Sequence, residues 1–475
     1  MIAMKDNVCG RQIAKEALDK YYRSAQSEFV AVFGRRRVGK TFLIREYLED
    51  EIVFQFSGMA NSGTEAQLQR FAQTIARYTK TEPQHLSNWI DAMFQLERYI
   101  EQLPSNGKKV VFIDELPWLD TPHSEFIPAL ETFWNNWAST RKDILLIVCG
   151  SVTSWMMDNL INSHGGLYGR LTGQIPLSPF TLQECEEYFL HRGLHLSRYE
   201  ICEAYMVFGG IPYYLNFIDP QRSLAGSIDF ALFNPNGPLY DEYSNLFPAM
   251  FRRSENYVKV VNALSVNQYG MTRNEIIQST NMTSGEGITR VLSNLERCGF
   301  IRKYSPLGTK EKYYQLIDFY VLFYHRFLKD RHKISANFWT TMQRSAMFYQ
   351  WAGTRFELLV MQHAQQIKKH LKIEGVQTNI YSLRTYDTNG AAQIDAVLQR
   401  ADNTANLCEM KFTEGLYAID KTEDLRLRNR IQTLRTLLPK RMSIQLTLVT
   451  TYGLQPNQYA NQVNQTLTID DLFVQ

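Results

Sequence analysis

Three groups of residues have the types and spacing to do chemistry. The first is Gly34-Arg35-Arg36-Arg37-Val38-Gly39-Lys40-Thr41, which fits the pattern G-x-x-x-x-G-K-[ST]. Glycine at both ends lets the backbone curl so that its N–H groups point at phosphate oxygens. Lys40 then reaches the β- and γ-phosphates, and Thr41 offers a hydroxyl to Mg²⁺. The helix that follows, beginning near Phe42, adds the positive end of its dipole. The ligand served by such a P-loop is ATP with Mg²⁺, and residues 34–42 are expected to line it. Three successive arginines are unusual here. They suit phosphate, DNA or acidic groups elsewhere in the chain.

The second group completes a phosphate site. The apolar run Val110–Ile113 leads straight into Asp114 and Glu115. Asp114 is placed to hold Mg²⁺, and Glu115 to orient and polarise an attacking water. A further run, Ile144–Val148, ends at Cys149-Gly150-Ser151, so Ser151 is a candidate γ-phosphate sensor; the plainer reading is a strand-end turn. Arg170 closes the Gly-rich stretch His164–Arg170 and is a candidate arginine finger, acting in cis or from a neighbouring subunit. A surface arginine paired with a carboxylate is the competing reading.

The third group lies far downstream. Asp395 sits in QIDAVLQ, and Glu409 and Lys411 sit in LCEMKF. Residues two apart on a strand face one side, so Glu409 and Lys411 point together and Asp395 on a neighbouring strand joins them. Two carboxylates can bind Mg²⁺, and a nearby lysine can polarise water. Glu357, on a preceding helix, is a further ligand or a partner for the lysine. The competing reading is a buried ion pair without chemistry.

These groups need elements to position them. Phe29–Phe33, Val53–Ser57, Val110–Ile113 and Ile144–Val148 are continuous apolar runs, which suit strands of a parallel sheet covered on both faces. Thr41–Leu48 reads as a helix. An α/β nucleotide-binding domain over residues 1–180 follows. Residues 181–250 read as a helical lid, opened by a capping box at Thr181 and Glu184 and broken at Gly209-Gly210-Ile211-Pro212.

Residues 251–330 hold helical stretches at Tyr257–Leu264, Thr272–Gln278 and Gly287–Cys298, then a hairpin of Phe300–Tyr304 and Tyr313–Leu316 around Pro306-Leu307-Gly308. Three helices and a hairpin predict a winged helix-turn-helix. Arg290 and Arg297 would reach double-stranded DNA, with Asn294 as a base reader and Arg302, Lys303 and Lys310 charging the wing. Glu286 and Glu296 dilute that patch, so a protein-interaction module remains open. The aromatics of Tyr313–Phe327 read as core packing before they read as a stacking surface. Residues 331–475 form a second α/β unit: a helix at Arg355–His370, strands at Ile380–Tyr386, Gln393–Gln399 and Leu407–Phe412 with a turn at Asp387–Gly390, a helix at Asp420–Leu438, and a strand at Ile444–Thr450.

Bulk properties set the limits. With 475 residues the chain exceeds one hydrophobic core. A formal net charge of +3 gives no global attraction to nucleic acid, so binding must come from local patches. Six scattered cysteines without a CxxC pair argue against zinc ribbons and disulfide frameworks. No stretch approaches the roughly 20 apolar residues that span a bilayer. A cytoplasmic location is the expectation.

In order along the chain, FGRRRVGKT, FIDELPWL, CGS, GGLYGR and FGGIPYYL resemble the archaeal-type ATPase family of P-loop proteins, within the broad class of AAA+ and STAND ATPases. The resemblance implies an ATPase core with strand order 5-1-4-3-2, a helical lid that brings Gly209–Pro212 near the nucleotide, and a winged helix. The spacing D-x(13)-E-x-K resembles the PD-(D/E)xK nuclease superfamily, the fold of restriction endonucleases, and implies an α/β C-terminal domain of that type. Two functions compete. One is an ATP-controlled switch that presents DNA to a Mg²⁺-dependent nuclease. The other is a regulatory DNA- or protein-binding ATPase whose C-terminal domain is catalytically silent. A motor would need a homo-oligomeric ring with Arg170 acting across its interface.

Overall fold

Continuous apolar runs become the centre of a sheet because both faces must be covered. β3 (Lys109–Asp114) and β4 (Ile144–Gly150) are buried along their whole length. They lie beside β1 (Glu28–Phe33), β2 (Ile52–Ser57) and β5 (Gly173–Pro176) in the order β2-β3-β4-β1-β5, and every adjacent pair is parallel. This is the expected order, with β4 between the strands that carry the P-loop and Asp114. β5 escapes the apolar-run criterion. It is a four-residue edge strand with alternating burial. Helices Thr64–Thr79 and Trp89–Glu101 pack their apolar stripes into the same core through Phe71, Trp89 and Leu96.

The computed structural model describes residues 8–104, 107–161, 167, 169–251, 253–331, 335–385 and 392–474. Contacts divide the chain into Met1–Pro179 and Phe180–Gln475. The first unit ends one residue short of the expected boundary.

Within the second unit, capping boxes open helices Leu182–His191, Arg198–Phe208 and Arg273–Thr280. At each one a threonine or serine bonds the third helical N–H, and a glutamate reaches back. Helix Arg198–Phe208 stops at Gly209, φ 72°, and Gly210 O accepts from Phe180 N at 2.7 Å. Helices Glu255–Val266, Arg273–Thr280 and Glu286–Arg297 stand with an antiparallel sheet of β6 (Met271–Thr272), β8 (Tyr313–Leu316) and β7 (Ile301–Tyr304), in that order. The aromatic run after Tyr313 is core, as expected: Phe319, Tyr320, Phe323 and Phe327 are buried, and the last two meet Trp339 and Trp351.

A third sheet has the order β13-β12-β11-β10-β9. Strands β9 (Thr378–Thr385), β10 (Ala392–Arg400) and β11 (Thr404–Lys411) run antiparallel in sequence, whereas β12 (Ser443–Thr450) joins β11 in parallel. A parallel pair needs a crossover, and the helix Lys421–Leu437 supplies it. β13 (Gln465–Leu467) adds a short edge. The expected helix Arg355–His370 is two helices, Ala346–Gln362 and Ala364–His370. The break falls at His363, whose Nδ1–H donates to Leu359 O at 2.9 Å while Nε2 accepts from Leu182 N at 3.1 Å. The expected turn Asp387–Gly390, Tyr386, and His164–Gly166 with Tyr168 lie outside the described residues.

Candidate functional site

The P-loop is cut from the end of β1. Gly34 sits at φ 153°, and a Cβ there would lie 2.2 Å from Leu177 O, so only glycine fits between the loop and the segment after β5. Gly39, φ 91°, turns the chain into the helix Lys40–Tyr47. Lys40 is 5% exposed, and its ammonium donates to Gly34 O at 3.0 Å and Arg35 O at 2.9 Å. The loop therefore holds its own lysine across its mouth. Arg35 and Val38 are buried, Arg36 and Arg37 half-buried, and Phe42 is 54% exposed on the first turn of the helix.

Thr41 and Asp114 meet. Thr41 Oγ1 donates to Asp114 Oδ2 at 2.9 Å, across 73 residues of sequence. A hydroxyl and a carboxylate at the head of the loop are hard oxygen donors of the kind Mg²⁺ prefers. The two groups fit such an ion and would be the side chains to hold it. The other Asp114 oxygen accepts from Glu115 N at 2.9 Å.

Glu115 takes a left-handed conformation, φ 50° and ψ 45°, where β3 gives way to a short turn. Ser151 donates to its carboxylate twice, from N at 3.2 Å and from Oγ at 2.9 Å. Ser151, a candidate phosphate sensor from its place at the end of β4, bonds Glu115 here. Strand register explains the meeting, because Ile113 pairs with Val148 and the two strand ends lie side by side. Gly150 is required here. A Cβ would approach Pro117 Cδ and Met156 Sδ at 2.8 Å.

Arg11 was missed by sequence reasoning. Its guanidinium donates to Ser178 O at 2.6 Å and Val38 O at 2.8 Å, tying the P-loop to the segment after β5. No motif marks it, since its partners are backbone carbonyls 27 and 167 residues away. Arg170 is exposed, and among the described residues its side chain makes no hydrogen bond or ion pair with the P-loop.

The third group forms a network with a different balance. Lys411 Nζ lies 2.8 Å from Glu409 Oε1 and 2.9 Å from Glu423 Oε1. Arg430, from the helix Lys421–Leu437, takes the other Glu409 oxygen at 2.5 Å. Asp395 Oδ2 accepts from Met410 N at 3.1 Å. Burial, then the Glu409 charge, pushes the Glu357 carboxyl up to about 7. Burial, then Glu409 and Glu357, holds Asp395 well above the usual carboxylate range. Burial works against the Lys411 charge, but Glu409, Tyr417 and Glu423 together more than offset it and hold the ammonium above its ordinary value.

Among the described residues no group of three or more His, Cys, Asp or Glu side chains is placed to hold a metal. Glu409 has a cation on each oxygen, Lys411 on one and Arg430 on the other. Sequence reasoning missed Arg430 because nothing in a lone arginine on an amphipathic helix marks the strand residue it will meet. Lys411 is held by Glu423, not Glu357.

Two further expectations change. Asn294 is buried and donates to Tyr257 Oη at 2.8 Å, so it does not face a nucleic acid. Arg302 turns inward, its Nε donating to Gln315 Oε1 at 2.6 Å. Arg290, Arg297, Lys303 and Lys310 are exposed.

Comparison with known proteins bears on the first unit most directly. A P-loop on β1, a carboxylate at the end of β3 that meets it and the order β2-β3-β4-β1-β5 resemble the fold of P-loop ATPases. Residues 10–218 match the model of an ATPase domain described as predominantly from Archaea. An uncharacterized protein of Methanocaldococcus jannaschii is 23% identical over 368 residues, which are 76% of this chain and 78% of that one. A Walker-type ATPase of Pyrococcus abyssi has a similar structure, with a TM-score of 0.51 and 21% identity over 68% of this chain and 97% of that one. The Aeropyrum pernix ORC2 protein aligns at a TM-score of 0.43 and 14% identity, over 76% of this chain and 98% of that one. No helix among the described residues is long and apolar enough to cross a membrane.

Proposed function

We propose that the chain is a Mg²⁺-dependent ATPase that works as a nucleotide-controlled switch on DNA. The observation that carries this reading is the single line of contacts Lys40–loop, Thr41–Asp114, Asp114–Glu115 and Glu115–Ser151. Lys40 and the loop N–H groups bind the phosphates. Thr41 and Asp114 would hold Mg²⁺, which neutralises phosphate charge when bound. Glu115 orients the attacking water, and Ser151 fixes Glu115. Arg170, being exposed, suits action from a neighbouring copy in a homo-oligomer.

The elements at residues 255–316 support a winged helix reading, in which exposed Arg290 and Arg297 contact double-stranded DNA from the helix Glu286–Arg297. A switch requires that ATP and ADP states bind DNA differently. The test is the DNA dissociation constant of the Glu115→Gln chain with ATP against the wild type with ADP. A tenfold difference supports the reading, and equal values sink the switch.

The C-terminal sheet, three antiparallel strands followed by a crossover helix and a parallel strand, supports a nuclease-like fold. The Arg430–Glu409 pair favours the regulatory reading, in which this domain docks without cutting. The mutual repulsion of Glu357, Asp395 and Glu409 favours the second reading, a Mg²⁺-dependent endonuclease. Supercoiled plasmid with Mg²⁺ and ATP separates them. Cleavage lost in Glu409→Ala and Lys411→Ala supports the endonuclease, and an intact plasmid supports the regulatory domain.

A further inference from the structure

A cavity of about 420 Å³ lies within the second unit, between the sheet β6-β8-β7 and the elements carrying Glu357 and Asp395. Its size falls within the range of about 300–1,000 Å³ usual for small-ligand sites. The turn after β7 closes one side, and Leu307 N donates to Ser382 O of β9 at 3.2 Å. Two arginines line it, Arg302 from β7 and Arg355 from the helix Ala346–Gln362.

Neither guanidinium has an ion-pair partner among the described residues, and Glu357, the carboxyl whose charge acts on Arg355, is itself pushed up to about 7 by burial and Glu409. Among the described residues Arg355 makes no hydrogen bond or ion pair, and its Nε is sealed from water without a partner. Arg302 spends only its Nε–H, on Gln315, and its charge lies 5.0 Å from the centre of the Tyr304 ring. Shielding two guanidiniums from water with no ion-pair partner is costly unless a ligand supplies the charge. Guanidinium forks match phosphate oxygens in pairs. On the other wall, Glu357 and Asp395 can accept hydrogen bonds from hydroxyl or amino groups, and Tyr304 and Tyr313 offer rings to a flat base.

We propose that this cavity is a second ligand site, built for a phosphate carried by a nucleoside, either a free mononucleotide or the 5′-terminal phosphate of a nucleic-acid strand. Arg302 and Arg355 bind the phosphate, and the carboxyl wall takes the sugar or base. The site is separate from the P-loop and does not require that the C-terminal domain cut DNA.

The test uses the full chain carrying Lys40→Ala, so that the P-loop does not compete. AMP, and one oligonucleotide with and without a 5′-phosphate, are titrated calorimetrically. The expected result is saturable binding of one equivalent of AMP, weakened tenfold or more by Arg355→Gln and by Arg302→Gln and less by Arg355→Lys. If the strand end is the source, the phosphorylated oligonucleotide binds at least tenfold tighter than the unphosphorylated one, and AMP displaces it. Thermal melts establish that each variant is folded. Absence of saturable binding by AMP and by the phosphorylated strand to the folded chain overturns the site. So does equal affinity in both glutamine variants.

Discussion

Glu115 shows how much depends on one side chain's neighbours. Its role follows from its place after β3, but its orientation follows from Ser151, whose N and Oγ both point at one carboxylate oxygen. Replacing Ser151 by alanine removes the hydroxyl bond and leaves the backbone one. ATP hydrolysis should fall by about tenfold, the effect of about 1.4 kcal/mol lost from transition-state positioning, with ATP affinity unchanged. Steady-state hydrolysis with a separate binding titration checks this. Arg11 is the second case. Two charge-assisted hydrogen bonds hold the P-loop, each worth about 1.5–3 kcal/mol. Arg11→Ala should therefore lower the melting temperature and weaken ATP binding several-fold, read by thermal melts and by titration. The sequence announced Lys40 and Thr41 because their spacing is fixed by local backbone, and Asp114 because it ends an apolar strand run. It was silent on Arg11 and Arg430 because their partners are reached only through the fold.

Elements were legible where burial is uniform. The apolar runs of β3 and β4 locate those strands within one or two residues at each end, since both faces are covered and no polar alternation intrudes. The short edges β5 and β13 were illegible, because three or four residues carry no period. The break at His363 was hidden for another reason: a buried histidine bonding two backbone groups looks in sequence like any helical residue. Burial lowers its pKa from 6.5 to about 4. With the folded value below the unfolded one, its neutral ring contributes stability that is fully present above pH 6.5. That stability is lost as pH falls from 6.5 to 4, by about 3 kcal/mol in all. Thermal melts should therefore show the wild type losing more stability between pH 7 and pH 5 than His363→Gln does. Parallel curves for the two would refute this account of the helix break.

At the scale of the whole molecule, two charge networks behave differently. The first unit keeps its acidic pair beside a phosphate loop, and the carboxylate cluster of the second unit is met by Lys411 and Arg430. Removing one partner of such a buried network leaves the others unpaired, at a cost of about 3–5 kcal/mol. Glu409→Ala should destabilise the chain by that order. Glu409→Ala with Arg430→Ala should cost less than the two single changes added together, as a double-mutant cycle in chemical denaturation would show. The similarity of residues 10–218 to an archaeal ATPase domain was visible in sequence from motif order alone. The contacts of the carboxylate cluster were not, since the same Asp395, Glu409 and Lys411 spell either a metal site or an ion network, and Arg430, which joins Glu409, lies 19 positions beyond Lys411.

The central claim is that the first unit binds ATP through Lys40 and hydrolyses it through Glu115. Its most direct measurement is ATP binding and single-turnover hydrolysis, with Mg²⁺, by the wild type, Lys40→Ala and Glu115→Gln. The account predicts that Lys40→Ala loses binding, and that Glu115→Gln keeps binding but hydrolyses about a hundredfold or more slowly, a barrier higher by about 2.7 kcal/mol. Hydrolysis by Glu115→Gln at the wild-type rate, or unchanged ATP affinity in Lys40→Ala, would contradict it.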